Sequence, residues 1–369
     1  MTAVPFVDLQ EQHRALESEL SAAVSQVMSR CDFVLGSAVE QFEKEFAEFL
    51  GARYAVGVGN GLDALRLALQ AAGVEPGDEV IVPANTYIAT ALAVSALGGC
   101  PVPVDVDEKT FNIDPAGIGA ALTSRTKALI PVHLFGQPCD VEEVCDIARR
   151  HDLVLIEDAC QAHGARFRGR CVGTFGLAGC FSFYPSKNLG ACGDGGMVVT
   201  DDEQFAERVR LLRNYGSKEK YRHIAKGTNT RLDTLQAAIL RVKLQRLENW
   251  NAARLRHAQR YSGILREIAS VRLPEVAPDR THIFHLYVVR VERRAELQKF
   301  LAERQIQTMI HYPVPIHLHR AYEDLGFRRG AFPVAERLAD EVLSLPMFAE
   351  LADEQIDSVC DAIREFYRA

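Results

Sequence analysis

The sequence predicts an α/β protein: a large domain on a mainly parallel, doubly covered sheet, followed by a smaller α+β domain. Three observations carry this. Short β-branched runs alternate with helical patterns from Tyr54 to Thr200. The runs are apolar at successive positions, as strands buried on both faces require. After Thr200 the alternation stops and helical periodicity takes over. A chain of 369 residues with 48% hydrophobic content can bury more than one core.

The segment before about Gly51 reads as helical and as packing on one of the two domains. "YAVGV" then leads into "LDALRLALQAA", and "EVIVPA" into "TYIATALAVSALGG". "PVPVDV" precedes a helical stretch and "KALIPV". "VEEVCDIARRHD" leads into "LVLIEDA", and "GCFSFY" and "GGMVVT" close the series. "DEQFAERVRLLRNYG" is helical. The stretch from Thr228 reads as one long helix ending near Ile268, and the domain boundary is placed inside it near Trp250, giving residues 1–250 and 251–369. "HIFHLYVVRV" opens the helix–strand mixture of the second domain. No internal repeat or low-complexity segment interrupts the chain.

The net charge of −7 argues against a nucleic-acid-binding surface and against a dedicated anionic-membrane binder. Nine cysteines without a C-x-x-C pair fit reduced, mostly buried thiols of a cytosolic protein and argue against a structural zinc site. The N-terminus carries no apolar signal region, and no apolar run reaches membrane-spanning length.

The chemistry is concentrated at strand ends. In "SFYPSKNLGACGDGG" an apolar strand stops at Pro185, and Lys187 follows at once, ahead of Gly190, Gly193, Gly195 and Gly196. Alone, Lys187 reads as a solvated surface residue. Asp158 ends the buried run "LVLIED", where open parallel sheets bind ligands, although a helix cap or loop salt bridge would also suit it. Gly57, Gly59 and Gly61 lead from a strand into a helix, whose free N–H groups and dipole attract phosphate. Leu62 breaks the dinucleotide fingerprint, and a tight turn capped by Asn60 or Asp63 is the plainer reading. Ser182 can donate to the same phosphate or merely sit in a ladder. An amine, a buried acid and a phosphate cradle from adjoining strand ends together match pyridoxal phosphate, which uses all three.

With these residues in place, the sequence resembles the DegT/DnrJ/EryC1/StrS family of sugar aminotransferases, which have the aspartate-aminotransferase-like fold (fold type I). The resemblance runs nearly end to end through "PANTYIATALAV", "IEDACQAHGA", "FSFYPSKNLGACGDGG", "GTNTRLDTLQAAIL" and "HYPVPIHLHRAY". It implies pyridoxal phosphate as cofactor, Lys187 as Schiff-base lysine and proton shuttle, and Asp158 as partner of the ring nitrogen. It places Gln161 near the phenolic oxygen and Tyr87 on the ring, where a core tyrosine is the other reading. Gly61, Leu62 and Ser182 form the phosphate cradle, with Leu62 offering only its backbone N–H where many relatives carry a hydroxyl.

The same resemblance implies that Asn229 reaches the cofactor phosphate of a neighbouring subunit in a homodimer with shared sites; a helix cap, for which Asp233 serves equally, is the alternative. Lys220 and Tyr221 meet the nucleotide of the substrate, or lie in a solvated loop. Tyr184, His311 and Tyr312 surround the hexose, and His317 is structural. The implied reaction moves an amino group from L-glutamate to C-3 of a dTDP-linked 3-keto-6-deoxyhexose in the cytoplasm. Alternatives are C-4 amination, a sugar dehydratase, which carries histidine in place of Lys187, and a non-catalytic cofactor-binding regulator.

Overall fold

A computed structural model describes residues 3–368. Three helices, α1 (Leu9–Ala15), α2 (Glu17–Arg30) and α3 (Ser37–Leu50), precede the sheet. Strands and helices then alternate: β1 (Tyr54–Val58), α4 (Gly61–Ala71), β2 (Glu79–Pro83), α5 (Ala89–Ser95), β3 (Cys100–Val104), α6 (Pro115–Ala121), β4 (Thr126–Leu129), α7 (Val141–Arg150) and β5 (Val154–Asp158). A small hairpin, β6 (Arg166–Phe167) and β7 (Arg170–Cys171), leads to β8 (Ala178–Ser182) and β9 (Gly196–Thr200).

These strands form one seven-stranded sheet in the order β1-β9-β8-β5-β4-β2-β3. All neighbours are parallel except β9, which runs antiparallel to both β1 and β8. The edge strand β1 is closed off by side chains: Glu43 Oε1 accepts the Gly57 N–H at 2.8 Å, and Arg213 donates to the Gly57 carbonyl at 2.6 Å. Such cover removes an open pairing edge.

Side-chain alternation along β8 divides its residues between two cores. Phe181 and Phe183 face α3, where Phe46 meets them edge-on at 5.1 and 5.4 Å. Cys180 joins the opposite core with Val198, Ala64, Leu65 and Phe205. The strand that ends at Ser182 is therefore held rigidly from both sides.

After β9 come α8 (Glu203–Arg213), an exposed hairpin of β10 (Ser217–Glu219) and β11 (Arg222–His223), then α9 (Thr234–Leu244) and α10 (Leu247–Leu265). The single long helix expected from Thr228 is thus two helices that start six residues later. Arg246 N bonds back to Lys243 O, a tightened three-residue turn, and Lys243 and Leu247 on either side are both wholly buried. Burial of these two side chains, not a Gly or Pro, sets the break. The remainder comprises β12 (Val271–Arg272), β13 (Tyr287–Val291), α11 (Arg294–Glu303), α12 (Pro333–Glu341), β14 (Val342–Leu345) and α13 (Asp353–Arg368). The antiparallel sheet β12-β13-β14 has its own core with α10, α11 and α13. The N-terminal segment touches both units: α2 and α3 pack on α9, while Val4 bridges to Ile306.

All nine cysteines are free thiols; Cys139, Cys171, Cys180 and Cys360 are buried, whereas Cys31 and Cys192 are exposed. No helix among the described residues is long and apolar enough to cross a membrane. Replacing Phe46 by Ala removes the aromatic packed on both Phe181 and Phe183. The expected loss is about 3–5 kcal/mol of unfolding free energy, read as a lower urea midpoint; a loss below 1 kcal/mol would show that β8 does not depend on this cluster.

Candidate active site

The register of the sheet brings the strand ends together. Asp158 lies beside Cys180, while Gly196 pairs with Ser182 on one side and with Val58 on the other. The loop after β1 therefore crosses Gly196 to reach Ser182. A Cβ on Gly196 would sit 2.3 Å from the Asn60 carbonyl oxygen, and one on Gly61 would sit 2.7 Å from Ser182 Cβ and 2.9 Å from Cys160 Sγ. Only glycines allow this approach. Asn60 Oδ1 caps α4 by accepting the Asp63 N–H at 2.8 Å, so the cap reading of Asn60 is right. The first-turn N–H groups of Gly61 and Leu62 have no intrahelical acceptor, and Gly61 lies against Ser182, an arrangement that could serve an anion.

Lys187 leaves this edge in a tight turn, its N–H bonded to the Tyr184 carbonyl at 2.8 Å. The loop closes so tightly that a Cβ on Gly190 would lie 2.2 Å from the Pro185 carbonyl oxygen. Asp158 is buried, and its carboxylate accepts from Thr90 Oγ1 at 2.9 Å and Cys160 N at 3.2 Å, both neutral donors. Burial lowers the Lys187 pKa from its ordinary value, opposed by the nearby Cys160 and Asp158. Burial also pushes the Cys160 thiol up, so it stays protonated.

Gln161 donates from Nε2 to Tyr312 Oη at 2.8 Å, and its buried Oε1 has no partner. The Tyr312 hydroxyl is raised by burial and stays protonated. Tyr87 is 54% exposed, with its ring centroid 5.4 Å from that of Tyr312, so it is not a core tyrosine. His311 bonds Ser344 Oγ at 2.8 Å and is lowered to about 4 by burial and by Lys187. Tyr184 is exposed beside Ser182. His317 lies elsewhere, buried and paired with Glu336 at 2.9 Å, in the structural role expected of it.

Asn229, Lys220 and Tyr221 are not brought to Lys187 by any hydrogen bond within the chain. Lys220 and Tyr221 occupy the exposed tip of the β10–β11 hairpin. Asn229 is exposed and pairs with Asn214 in an isolated bridge; Asp233, not Asn229, holds the N-cap position of α9. Its neighbours tie the segment to α4, since Thr230 Oγ1 bonds Asp63 at 2.6 Å and Thr228 Oγ1 accepts from Arg66 at 3.1 Å.

Sequence reasoning missed Thr90, which lies within "NTYIAT" but reads as an ordinary helical threonine, and it missed His163 and His285. His163 is wholly buried, and burial lowers it to about 3, opposed by the Ser182 backbone. His285 reaches the crevice because β13 begins only at Tyr287, leaving "HIFHL" as a non-strand segment. Its Nε2 stands 3.5 Å from Lys187 Nζ. Among the described residues, no group of three or more His, Cys, Asp or Glu could hold a metal ion.

The groups present fit pyridoxal phosphate. The orphaned Gln161 Oε1, the narrow cradle at Gly61, the buried carboxylate and the amine are its complementary donors and acceptors. Residues 14–364 match the DegT/DnrJ/EryC1/StrS aminotransferase family, and the chain belongs to that family. It is 49% identical over 363 residues to dTDP-3-amino-3,4,6-trideoxy-alpha-D-glucose transaminase of Streptomyces venezuelae, covering 98% of this chain and 96% of the relative. It is also 49% identical over 367 residues to a pleiotropic regulatory protein of Geobacillus stearothermophilus, covering 99% of both. The crystal structure of S. venezuelae DesV in complex with a ketimine intermediate superposes with a TM-score of 0.98 at 49% identity over the whole of both chains.

Gly61→Ala tests the cradle. The added methyl must displace Ser182 or Cys160, and such overpacking costs about 1–3 kcal/mol. Expressed in binding, this weakens pyridoxal phosphate retention roughly tenfold, measured by equilibrium dialysis. Unchanged retention would place the phosphate elsewhere.

Proposed function

We propose that this chain transfers an amino group from L-glutamate to C-3 of a dTDP-linked 3-keto-6-deoxyhexose, giving 2-oxoglutarate and the dTDP-3-amino-3,6-dideoxyhexose. The observation that carries the reading is the convergence of Lys187, Asp158 and the Gly61–Ser182 cradle at adjoining strand ends. The likeness to a dTDP-3-amino sugar transaminase supports C-3 over C-4.

Pyridoxal phosphate, when bound, supplies an aldehyde carbon that carries the amino group and a ring that withdraws electrons from it. Lys187 would hold the cofactor through Nζ, and the same nitrogen would serve as base toward the glutamate α-proton and as acid toward the sugar carbon. Its lowered pKa suits both directions, because a neutral amine accepts and its ammonium readily donates. Asp158 holds the proton on the ring nitrogen, with Thr90 and the Cys160 N–H keeping the carboxylate in place. The N–H groups of Gly61 and Leu62 and the Ser182 hydroxyl bind the phosphate. Gln161 meets the phenolic oxygen, and Tyr87 lies against the ring. Tyr184, His311 and Tyr312 orient the hexose, while Lys220 supplies a point charge for the pyrophosphate with Tyr221 beside it.

The division at Trp250 assigns the cofactor groups to residues 1–250 and gives residues 251–369 the hexose-facing His311 and Tyr312. The proposed location is the cytoplasm. The likeness to a pleiotropic regulatory protein supplies a second reading, a cofactor-binding regulator without turnover. The complete set of reacting groups favours catalysis. Matched 3-keto and 4-keto dTDP sugars offered with glutamate decide among these. Faster amination of the 3-keto sugar is expected, with turnover abolished in Lys187→Ala. Faster 4-keto amination would overturn the regiochemistry, and no turnover with either would favour the regulator.

The proposed active form is a homodimer in which Asn229 reaches the partner's cofactor phosphate. Exposed apolar residues Phe33, Val34, Tyr215 and Ile224 surround the Asn229 segment, as an interface does. Mixing a Lys187→Ala chain with an Asn229→Ala chain under exchange should restore activity through one intact site per mixed dimer. No recovery after verified exchange would assign each site to one chain.

A further inference from the structure

His285 is the imidazole nearest the Lys187 amine, and the chain gives it an assigned polarity. The assignment starts at the His163 carbonyl oxygen, which can only accept. Asn251 Nδ2 donates to it at 2.9 Å, which turns Asn251 Oδ1 toward Asn188. Asn188 Nδ2 then donates to Asn251 Oδ1 at 2.8 Å and to the Ile283 carbonyl at 3.2 Å. Asn188 Oδ1 is left facing His285 Nδ1 at 3.2 Å, so Nδ1 must carry the hydrogen. His285 Nε2 is therefore a bare lone pair, and it faces Lys187 Nζ at 3.5 Å.

We propose that His285 is a positioning residue for Lys187: held as the Nδ1–H tautomer by Asn188, it accepts one N–H of the amine and leaves the amine's reactive side turned toward Asp158 and the cofactor site. This rests on the assignment of Lys187 as the cofactor lysine. The 3.5 Å separation is long, as catalytic hydrogen bonds often are before ligands bind. The hydrogen bonds of other buried histidines run to structural groups. His133 bonds Glu157 and the Cys139 N–H, His317 bonds Glu336, His257 bonds the Ala349 carbonyl, and His282 accepts the Phe284 N–H. Among the described residues, His285 is the histidine that links a fixed side-chain anchor, Asn188, to the Lys187 amine.

His285 does not itself take the proton at neutral pH. Burial holds it well below the usual imidazole range, with Lys187 and Arg254 acting in the same direction. Arg254 also donates to the His285 carbonyl at 3.2 Å, fixing its backbone. The titratable groups around Lys187 are Asp158, Cys160, His163, His285 and His311. The three imidazoles and the Cys160 thiol are uncharged near neutrality, so the orientation of the amine depends on a neutral acceptor.

The test uses the full chain in its apo and holo forms. In the apo form, labelling of Lys187 by an amine-selective reagent is followed against pH by peptide mass spectrometry. An acceptor stabilises the ammonium, so His285→Leu should move the labelling midpoint down by about one pH unit. His285→Gln, whose amide oxygen can accept, should restore it. Asn188→Leu, which frees the tautomer, should shift it in the same direction as His285→Leu. In wild-type chain, nitrogen-15 NMR should find Nδ1 protonated and Nε2 bare, whatever the variants do. A protonated Nε2, or midpoints equal in the Leu and Gln variants, would overturn the proposal. Borohydride fixation in the holo form separates the two readings. Cofactor fixed to another lysine would sink the Lys187 assignment, whereas cofactor on Lys187 with unmoved midpoints would sink only the role of His285.

Discussion

A carboxylate and a primary amine must share one crevice from which water is largely removed, and most of the surrounding structure follows from that requirement. Burial disfavours the charged form of each. The amine responds with a lowered pKa, and the carboxylate is met by two neutral donors, Thr90 and the Cys160 N–H. Asp158 and Lys187 come from different strands, so β5 and β8 must be neighbours although a long connection separates them. Glu157, next to Asp158, holds that connection by accepting the N–H groups of Gly173, Phe175 and Gly176. A Cβ on Gly179 would fall 2.2 Å from the Gly173 carbonyl oxygen, so the connection lies directly on β8. The acid beside the amine, Asp158, and the acid that holds the connection, Glu157, are adjacent residues pointing to opposite faces, as strand alternation requires.

The same crevice needs a phosphate cradle, and the one antiparallel strand supplies the space for it. β9 lies between β1 and β8, which separates those strands by one position and lets the Asn60–Gly61 loop cross above Gly196. Phe42 and Phe46 hold β8 from below through Phe181 and Phe183. Packing in α3 is therefore part of what fixes the Ser182 hydroxyl relative to α4.

The central sheet and the chemical groups Lys187, Asp158 and Gly61 were legible in the sequence because each is written locally, as an apolar run that stops at a charged or glycine residue. Tyr87, Gln161, Tyr184 and Tyr312 were legible only through resemblance, since a single polar or aromatic residue near a strand end carries no local signal. Thr90 and His285 escaped for the same reason. The break between α9 and α10 escaped because the apolar periodicity runs on through Gln245 and Arg246 with no Gly or Pro to mark it, and only the burial of Lys243 and Leu247 on either side reveals it. Lys220, Tyr221 and Asn229 are exposed, and no hydrogen bond among the described residues joins them to Lys187.

The imidazoles complete the electrostatic argument. Burial lowers His163 to about 3 and His311 to about 4, and it holds His285 well below its ordinary value. Each of these rings is uncharged near neutral pH. A protonated imidazole beside Lys187 would lower the amine's affinity for a proton still more and would repel the ammonium at the moment it forms. Neutral rings avoid this while still offering lone pairs and shape. The crevice thus surrounds the Lys187 amine, whose pKa burial lowers, with neutral imidazoles, opposite a carboxylate whose hydrogen bonds come from fixed, uncharged donors.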